Sequence, residues 1–367
     1  MKKLILFILA SLFIFSCNKT NDHNITLGVI APLTGEGATY GNAMKKGLDL
    51  AIEMHNKNAE YPIKLIYKDT QLKPSKAISS FKQLVDINKV PLVFGAAGSS
   101  ISLAVTPFAN TSKVVLFSSI STADDLDKAG EYFFRNIPKN SKQAETIAKY
   151  LDENQNVKSV AVYFENNDYG INMNSKFKEF YGNKNINFSD SYESGQRDFK
   201  QKLLEIKQVR PDAIFIPGTY NEIALILRQI KELGIKSLII SGDGAYSQVL
   251  LNNAGKAAEG LMVTLMSISD TLNSRYKNFQ KEYFKKYNEA TPNIYSIFSF
   301  DAANIVLSII DNANKNKITG KYIKNQLKKI TYSGVTGITK FNKVGGVDKL
   351  YNLYIVKNKK FVLYKKK

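Results

Sequence analysis

The chain has 367 residues, with 51 Lys and Arg against 32 Asp and Glu, and a formal net charge of +19. With 44% hydrophobic and 23% charged residues it is neither a disordered nor a collagen-like protein, and its length predicts about two domains. One Cys excludes an intramolecular disulfide and a Cys-cluster metal site, and two His leave little room for His-based catalysis or metal binding.

The N-terminus has the pattern of a secretory signal. Lys2 and Lys3 precede an apolar run over residues 4–15, interrupted only by Ser11, which is shorter than the ~20 residues that a membrane-spanning helix needs. The following Ser16 and Cys17 complete the sequence IFSC, which resembles a bacterial lipobox, in which the cysteine becomes the acylated first residue of the mature chain. We therefore predict a signal peptide over 1–16 and a lipidated tether over 17–24, anchored through Cys17. In the alternative interpretation, Cys17 is a bystander in an ordinary signal peptide.

Behind this leader, strand and helix patterns alternate in two series. In the first series, short apolar runs bounded by turns predict buried parallel strands over 25–30, 63–67, 91–95 and 114–117. Apolar side chains at helical spacing predict helices over 44–52 and 74–88. The second series has predicted strands over 160–163, 213–216 and 237–240, and a helix over 222–233. This alternation predicts an α/β fold with two doubly wound lobes.

The C-terminal part follows a different pattern. A long apolar helix is predicted over 297–310, a second helix over 321–330, and a β-hairpin over 350–356 and 360–364. Six of the last eleven residues are lysine. The basic residues elsewhere form no basic-aromatic stripe, so the positive charge indicates a lysine-rich exterior facing anionic lipid rather than nucleic-acid binding.

Small polar residues follow two strands of the first series. Open α/β sheets bind small ligands beyond the carboxyl ends of their strands, where helices begin. Ser99 offers a hydroxyl and an N–H at such a helix start, which suits a carboxylate, and Thr122 follows the next strand. The competing interpretation of both residues is helix capping.

Two residues of the second series extend this set. Tyr169 and Asp243 each follow a predicted strand, and a carboxylate that meets an ammonium in a dewatered cleft forms a strong charge-assisted hydrogen bond. The competing interpretations are a packed aromatic for Tyr169 and a turn aspartate between glycines for Asp243.

The chain resembles the bacterial substrate-binding proteins of the branched-chain amino-acid transport family. The resemblance begins with ITLGVIAPLTGEGATYGNAMKKGLDLAIEMHN and runs in the family's order through VFGAAGSSISLAVTPFAN, LFSSISTADDL, FFRNIP, AVYFENNDYG, LILRQIKELGI, ISGDGAYS, AAEGLMVT and FSFDAANIV. It implies two Rossmann-like lobes joined by a three-strand hinge, with crossovers near Pro138, Ser267 and Phe341. The N-terminal lobe would hold 25–137 with 268–340, and the C-terminal lobe 138–267 with 341–367.

The resemblance also implies roles for individual residues. Ser99 and Thr122 match positions that grip an α-carboxylate, Ile120 a position whose carbonyl takes the ammonium, and Asp243 an acidic partner of that ammonium. Tyr169 matches the family's ligand tyrosine, and Tyr40 an aromatic wall against the ligand side chain. Thr219 stands where some branched-chain binders have tyrosine, which leaves the shape of the side-chain pocket open.

The implied function is that of an exported, lipid-anchored binding protein of an ABC importer. It would capture an apolar or small amino acid of the branched-chain type, deliver it to a membrane permease and act as a monomer, with no cofactor, metal or enzymatic activity. Two alternatives stay open. The same fold could bind a short amide, urea or an aromatic acid, or it could serve as a ligand-sensing receptor component.

Overall fold

The structure is a computed structural model that describes residues 24–183, 185–268 and 274–365. The predicted signal peptide, Cys17 and nearly all of the tether lie outside the described residues, as do Lys366 and Lys367.

Fourteen strands are present in the described part of the chain. They are β1 Ile25–Ala31, β2 Ile63–Asp69, β3 Leu92–Phe94, β4 Val115–Ser118, β5 Phe133–Arg135, β6 Val160–Glu165, β7 Ile186–Tyr192, β8 Ala213–Phe215, β9 Leu238–Ser241, β10 Met262–Met266, β11 Thr331–Gly334, β12 Gly337–Lys340, β13 Tyr351–Lys357 and β14 Lys360–Leu363.

The described residues also form α-helices, most of which stand between consecutive strands. They are α1 Ala38–Asn56, α2 Pro74–Asp86, α3 Ser99–Ser112, α4 Asn140–Asp152, α5 Asp168–Tyr181, α6 Lys200–Val209, α7 Tyr220–Glu232, α8 Gln248–Ala254, α9 Ser274–Tyr287, α10 Ile294–Asp311 and α11 Gly320–Leu327.

The strands form two separate main sheets. The first has the order β2-β1-β3-β4-β5, and all its pairs are parallel. The second has the order β14-β13-β10-β9-β8-β6-β7, parallel from β10 to β7 and antiparallel at the β13–β14 end. Buried apolar runs suit parallel strands that are covered on both faces, so the predicted α/β fold with two doubly wound lobes is confirmed.

Three chain segments connect the two halves, and they are hydrogen-bonded to one another. The Arg135 N–H donates to the Gly345 carbonyl at 2.9 Å, and the Ser267 N–H donates to the Leu350 carbonyl at 2.7 Å. The Tyr351 hydroxyl donates to the Pro138 carbonyl at 2.8 Å. Pro138 and Ser267 are two of the crossover positions that the family resemblance implies, whereas the third segment forms its bonds at Gly345, Leu350 and Tyr351, after Phe341. The crossovers and the lobe boundaries stay a prediction.

The sequence does not predict one hairpin that the structure contains. Strands β11 and β12 pair with each other as a two-stranded sheet between the predicted helix over 321–330 and the predicted hairpin over 350–364. Each strand has four residues, and their exposed positions carry too little apolar alternation to signal a strand.

Helix α10 is long and apolar enough to cross a membrane by length and composition, but 83% of it is buried inside the protein. It packs against α1, where Gly47 permits the two helices to approach closely. A Cβ built on Gly47 would lie 2.1 Å from the Ser296 carbonyl oxygen and 2.9 Å from the Phe300 nitrogen. The missing side chain therefore sets the distance between α1 and the core helix.

Replacing Gly47 with Ala tests this contact. Alanine favours a helix over glycine by about 1 kcal/mol, so on propensity alone the substitution would stabilise the protein. Because the added methyl would collide with backbone, we expect instead a net loss of about 1–3 kcal/mol in the free energy of unfolding, measured by urea denaturation. An unchanged or higher unfolding midpoint would contradict the close helix approach.

Candidate functional site

A cavity of about 330 Å³ lies where the carboxyl ends of the strands of both sheets meet. All seven residues that the sequence singles out for a ligand line this one cavity: Tyr40, Ser99, Ile120, Thr122, Tyr169, Thr219 and Asp243. Parallel strands bring their carboxyl ends to one edge of a sheet, which is why residues so distant in the chain converge here.

The first sheet contributes the start of α3. Gly98 precedes the helix with φ of +124°, a conformation that favours glycine, and no side chain caps this helix end. The Ser99 hydroxyl instead accepts the Ala123 N–H at 3.1 Å, so the capping interpretation of Ser99 does not hold. A helix N-terminus without a side-chain cap has N–H groups that suit an anion.

Thr122 and Ile120 follow β4 in the same sheet. Both are buried at the cavity wall, and the Thr122 carbonyl accepts the Asn140 N–H at 2.7 Å. This bond ties the loop after β4 to the first residue of α4, which belongs to the other half of the fold. Thr122 and Ser99 therefore meet the cavity on the side of the first sheet.

Asp243 is the most distinctive group that the second sheet places at the cavity. It is only 2% exposed, and its Oδ1 accepts from the Gln143 amide and from the Tyr169 hydroxyl, both at 2.9 Å. Gln143 is itself oriented, because its carbonyl oxygen accepts the Thr264 hydroxyl at 2.7 Å and the Asp243 N–H at 3.0 Å. Gln143 has no counterpart in the sequence prediction, since nothing in the pattern of α4 marks it.

Burial raises the pKa of the Asp243 carboxyl to about 6. Hydrogen bonds from Gln143 and Tyr169 act in the opposite direction, because they favour the charged form. Within the described ranges, no Lys, Arg or His forms an ion pair with Asp243. At neutral pH the cavity therefore holds a buried negative charge without a partner cation.

Two tyrosines, Tyr40 and Tyr295, line one wall of the site, and Tyr220 packs against Tyr40 without lining the cavity. The Tyr40 ring contacts Tyr220 and Tyr295 edge-on, with ring centroids 5.1 and 5.5 Å away. The Tyr40 hydroxyl donates to the Gly244 carbonyl, and the Tyr295 hydroxyl donates to the Asp243 carbonyl at 3.0 Å. Tyr295 lines the cavity but was not predicted, although it stands in the first turn of the apolar helix α10.

Thr219 lies at the start of α7, with both of its donors already engaged. Its N–H donates to Glu165 Oε2 at 2.8 Å, and its hydroxyl donates to Glu222 Oε2 at 2.7 Å. Glu165 also accepts the Ser194 hydroxyl at 2.5 Å, and burial raises the pKa of its carboxyl. Thr219 therefore faces the cavity mainly with apolar atoms, and Glu165 is a cavity residue that the sequence analysis missed.

The chain matches known proteins over nearly its whole described length. A family model described as "Periplasmic binding protein" matches residues 24–360. Among solved structures, the branched-chain amino acid transporter substrate-binding protein LivJ from Streptococcus pneumoniae, in complex with isoleucine, is 29% identical with a TM-score of 0.85. The alignment covers 92% of this chain and 97% of LivJ.

Two further relatives are similar to this chain over most of its length. The leucine-binding protein LivK from Thermotoga maritima is 27% identical with a TM-score of 0.87, covering 93% of this chain and 98% of LivK. The Leu/Ile/Val-binding protein BraC3 from Rhizobium johnstonii is 26% identical, covering 86% of this chain and 88% of BraC3.

Proposed function

This chain belongs to the periplasmic binding protein family, and we propose that it is the exported binding protein of an ABC importer, which captures an amino acid between its two lobes and delivers it to a membrane permease. The observation that carries the proposal is the buried Asp243 carboxylate, which lines the cavity without a partner cation in the described part of the chain. An α-ammonium group would supply the missing charge.

The other end of the cavity suits the α-carboxylate of the same ligand. The uncapped start of α3, the Ser99 hydroxyl and Thr122 lie on the first sheet's side, and Asp243 and Tyr169 lie on the second sheet's side. A zwitterion would join the two halves, with the Ile120 carbonyl as a further acceptor for the ammonium. Closure around it excludes water, which strengthens both charge-assisted contacts.

Apolar atoms supply most of the remaining wall and favour an apolar side chain. Tyr40, Leu72, Ile101 and Tyr295 line the cavity beside the polar groups, together with the apolar part of Thr219. This lining supports an amino acid of the branched-chain type, as does the isoleucine bound to the similar LivJ structure. Micromolar affinity needs about −8 kcal/mol, which two charge-assisted contacts and one apolar pocket can provide.

The organisation of the chain around this cleft is part of the proposal. We assign the N-terminal lobe to 25–137 with 268–340, and the C-terminal lobe to 138–267 with 341–367, in a monomer. The two separate sheets and the three hydrogen-bonded connections support this division.

The Asp243 carboxylate gives the most direct test. In Asp243→Asn we expect the affinity for isoleucine, measured by isothermal titration calorimetry, to fall by about two orders of magnitude, because the ammonium loses a buried charge partner. The ligand-induced rise in melting temperature should fall with it. The control ligand is the 2-keto acid of isoleucine. It lacks the ammonium and should therefore bind the unchanged protein weakly.

If Asp243→Asn keeps the affinity of the unchanged protein, the amino-acid assignment is wrong. A thermal-shift screen that finds stabilisation only by short amides, urea or aromatic acids would point to those ligands instead.

The raised pKa of Asp243 predicts a pH dependence of binding. The ionised carboxylate takes the ammonium, so protonation competes with the ligand once the pH falls below about 6. We expect the dissociation constant to be constant between pH 7 and 8. Below the pKa of about 6, it should rise about tenfold for each pH unit. Asp243→Asn should lose this dependence, and a flat profile between pH 5 and 8 in the unchanged protein would contradict the role of Asp243.

We also propose that Cys17 carries the lipid anchor of the exported protein. The lipobox-like IFSC sequence supports this, and several acyl chains on one cysteine make a lasting tether. Cys17→Ala should move the protein from the membrane fraction to the soluble extracytoplasmic fraction on cell fractionation. Continued membrane retention of this variant would contradict the anchor.

A further inference from the structure

We propose that Tyr220 and Asn221, at the start of α7, form a latch that holds the two lobes partly closed even without ligand. The inference rests on the proposed function for its effect on capture, but its structural basis is independent of any ligand. Both side chains donate to one acceptor, the main-chain carbonyl of Glu36, in the loop between β1 and α1. That loop follows a strand of the first sheet, whereas α7 follows β8 of the second sheet.

The latch groups are well placed to resist opening. Tyr220 is only 3% exposed, its hydroxyl bonds to the Glu36 carbonyl, and its ring contacts Tyr40 edge-on at 5.1 Å between centroids. The Asn221 amide nitrogen lies 3.2 Å from the same carbonyl oxygen. Separation of the lobes would break both hydrogen bonds and expose the buried face of the Tyr220 ring.

The preceding residue fixes the position of α7. Thr219 donates its N–H to Glu165 and its hydroxyl to Glu222, so the first turn of the helix is held to the second sheet through a buried carboxylate. Glu222 in turn accepts the Gly195 N–H at 2.9 Å. The helix start is therefore rigid, and it carries Tyr220 to the facing loop when the lobes are closed.

Neither Tyr220 nor Asn221 lines the ligand cavity. Their contacts join protein to protein, so they stabilise the closed form whether or not the cavity is filled. A contact that favours the closed form of the liganded protein lowers the apparent dissociation constant, because the ligand leaves only after the lobes open. The latch would thus tighten binding without any contact to the ligand, mainly by slowing dissociation.

Other bonds also join the two halves and limit the expected effect. The Asp168 N–H donates to the Ser100 hydroxyl at 3.2 Å, and Asn172 bonds to the Asp124 N–H and to Asp125, both at 3.1 Å. Removal of the latch should therefore shift the equilibrium toward the open form without abolishing closure.

The test measures lobe separation directly. Spin labels would be placed on exposed Ser75→Cys and Arg197→Cys, one in each half, in full-length protein carrying Cys17→Ser, and their distance measured by double electron–electron resonance without ligand. We expect a short-distance population in this parent and a two- to tenfold lower ratio of closed to open form in Tyr220→Phe, the range for one lost hydrogen bond. Asn221→Ala should shift it in the same direction, and Tyr61→Phe, away from the cleft, should not.

Kinetics provide the second readout. In stopped-flow measurements, isoleucine should dissociate from Tyr220→Phe two- to tenfold faster than from the parent. Its association rate should stay within twofold of the parent. Asn221→Ala keeps the test decisive if Tyr220→Phe does not fold.

The outcomes separate the two claims. A parent with no short-distance population, or latch variants with the parent's distribution, would overturn the latch. If the parent binds no amino acid, the proposed function fails, while the ligand-free distances still decide whether the latch exists.

Discussion

Asp243 lies inside the protein with its carboxylate held by Gln143 and Tyr169, and no cation of the described residues neutralises it. A charge kept out of water costs free energy, and that cost is recovered only when an opposite charge enters the same cavity. The hydrogen bonds around Gln143 hold the amide that contacts this carboxylate in place. In the function we propose, the site is therefore prepared for an ammonium before a ligand arrives, and this constraint would give the cleft its selectivity.

The two sheets are arranged so that this charge meets its complement. Each parallel sheet presents loops and helix starts at the carboxyl ends of its strands, and the three hydrogen-bonded connections keep both of these edges facing one cavity. The first sheet supplies N–H and hydroxyl donors around Ser99, and the second supplies the acidic group. In the function we propose, a ligand with both charges would satisfy both halves at once, so its capture would favour closure of the lobes.

Binding and closure nevertheless use different residues. Tyr40 belongs to both, because it lines the cavity and donates to the Gly244 carbonyl across the cleft. Tyr220 and Asn221 contact only protein, at the Glu36 carbonyl. Affinity can therefore change through residues outside the cavity while ligand selectivity stays with residues inside it. Thr219 contributes to both, because it lines the cavity and organises the start of α7.

The sequence by itself determined the class of fold, because buried apolar runs alternating with amphipathic helices have few other stable arrangements. It also identified seven of the cavity residues: Ser99, Thr122, Tyr169 and Asp243 from their place after strands, where α/β sheets hold ligands, and Tyr40, Ile120 and Thr219 through the family resemblance. Only the tertiary structure revealed Gln143, Glu165 and Tyr295, whose roles depend on contacts between elements far apart in the chain. Local patterns report which face of an element is buried, but the direction of a side chain such as Tyr220 is decided by what packs against it.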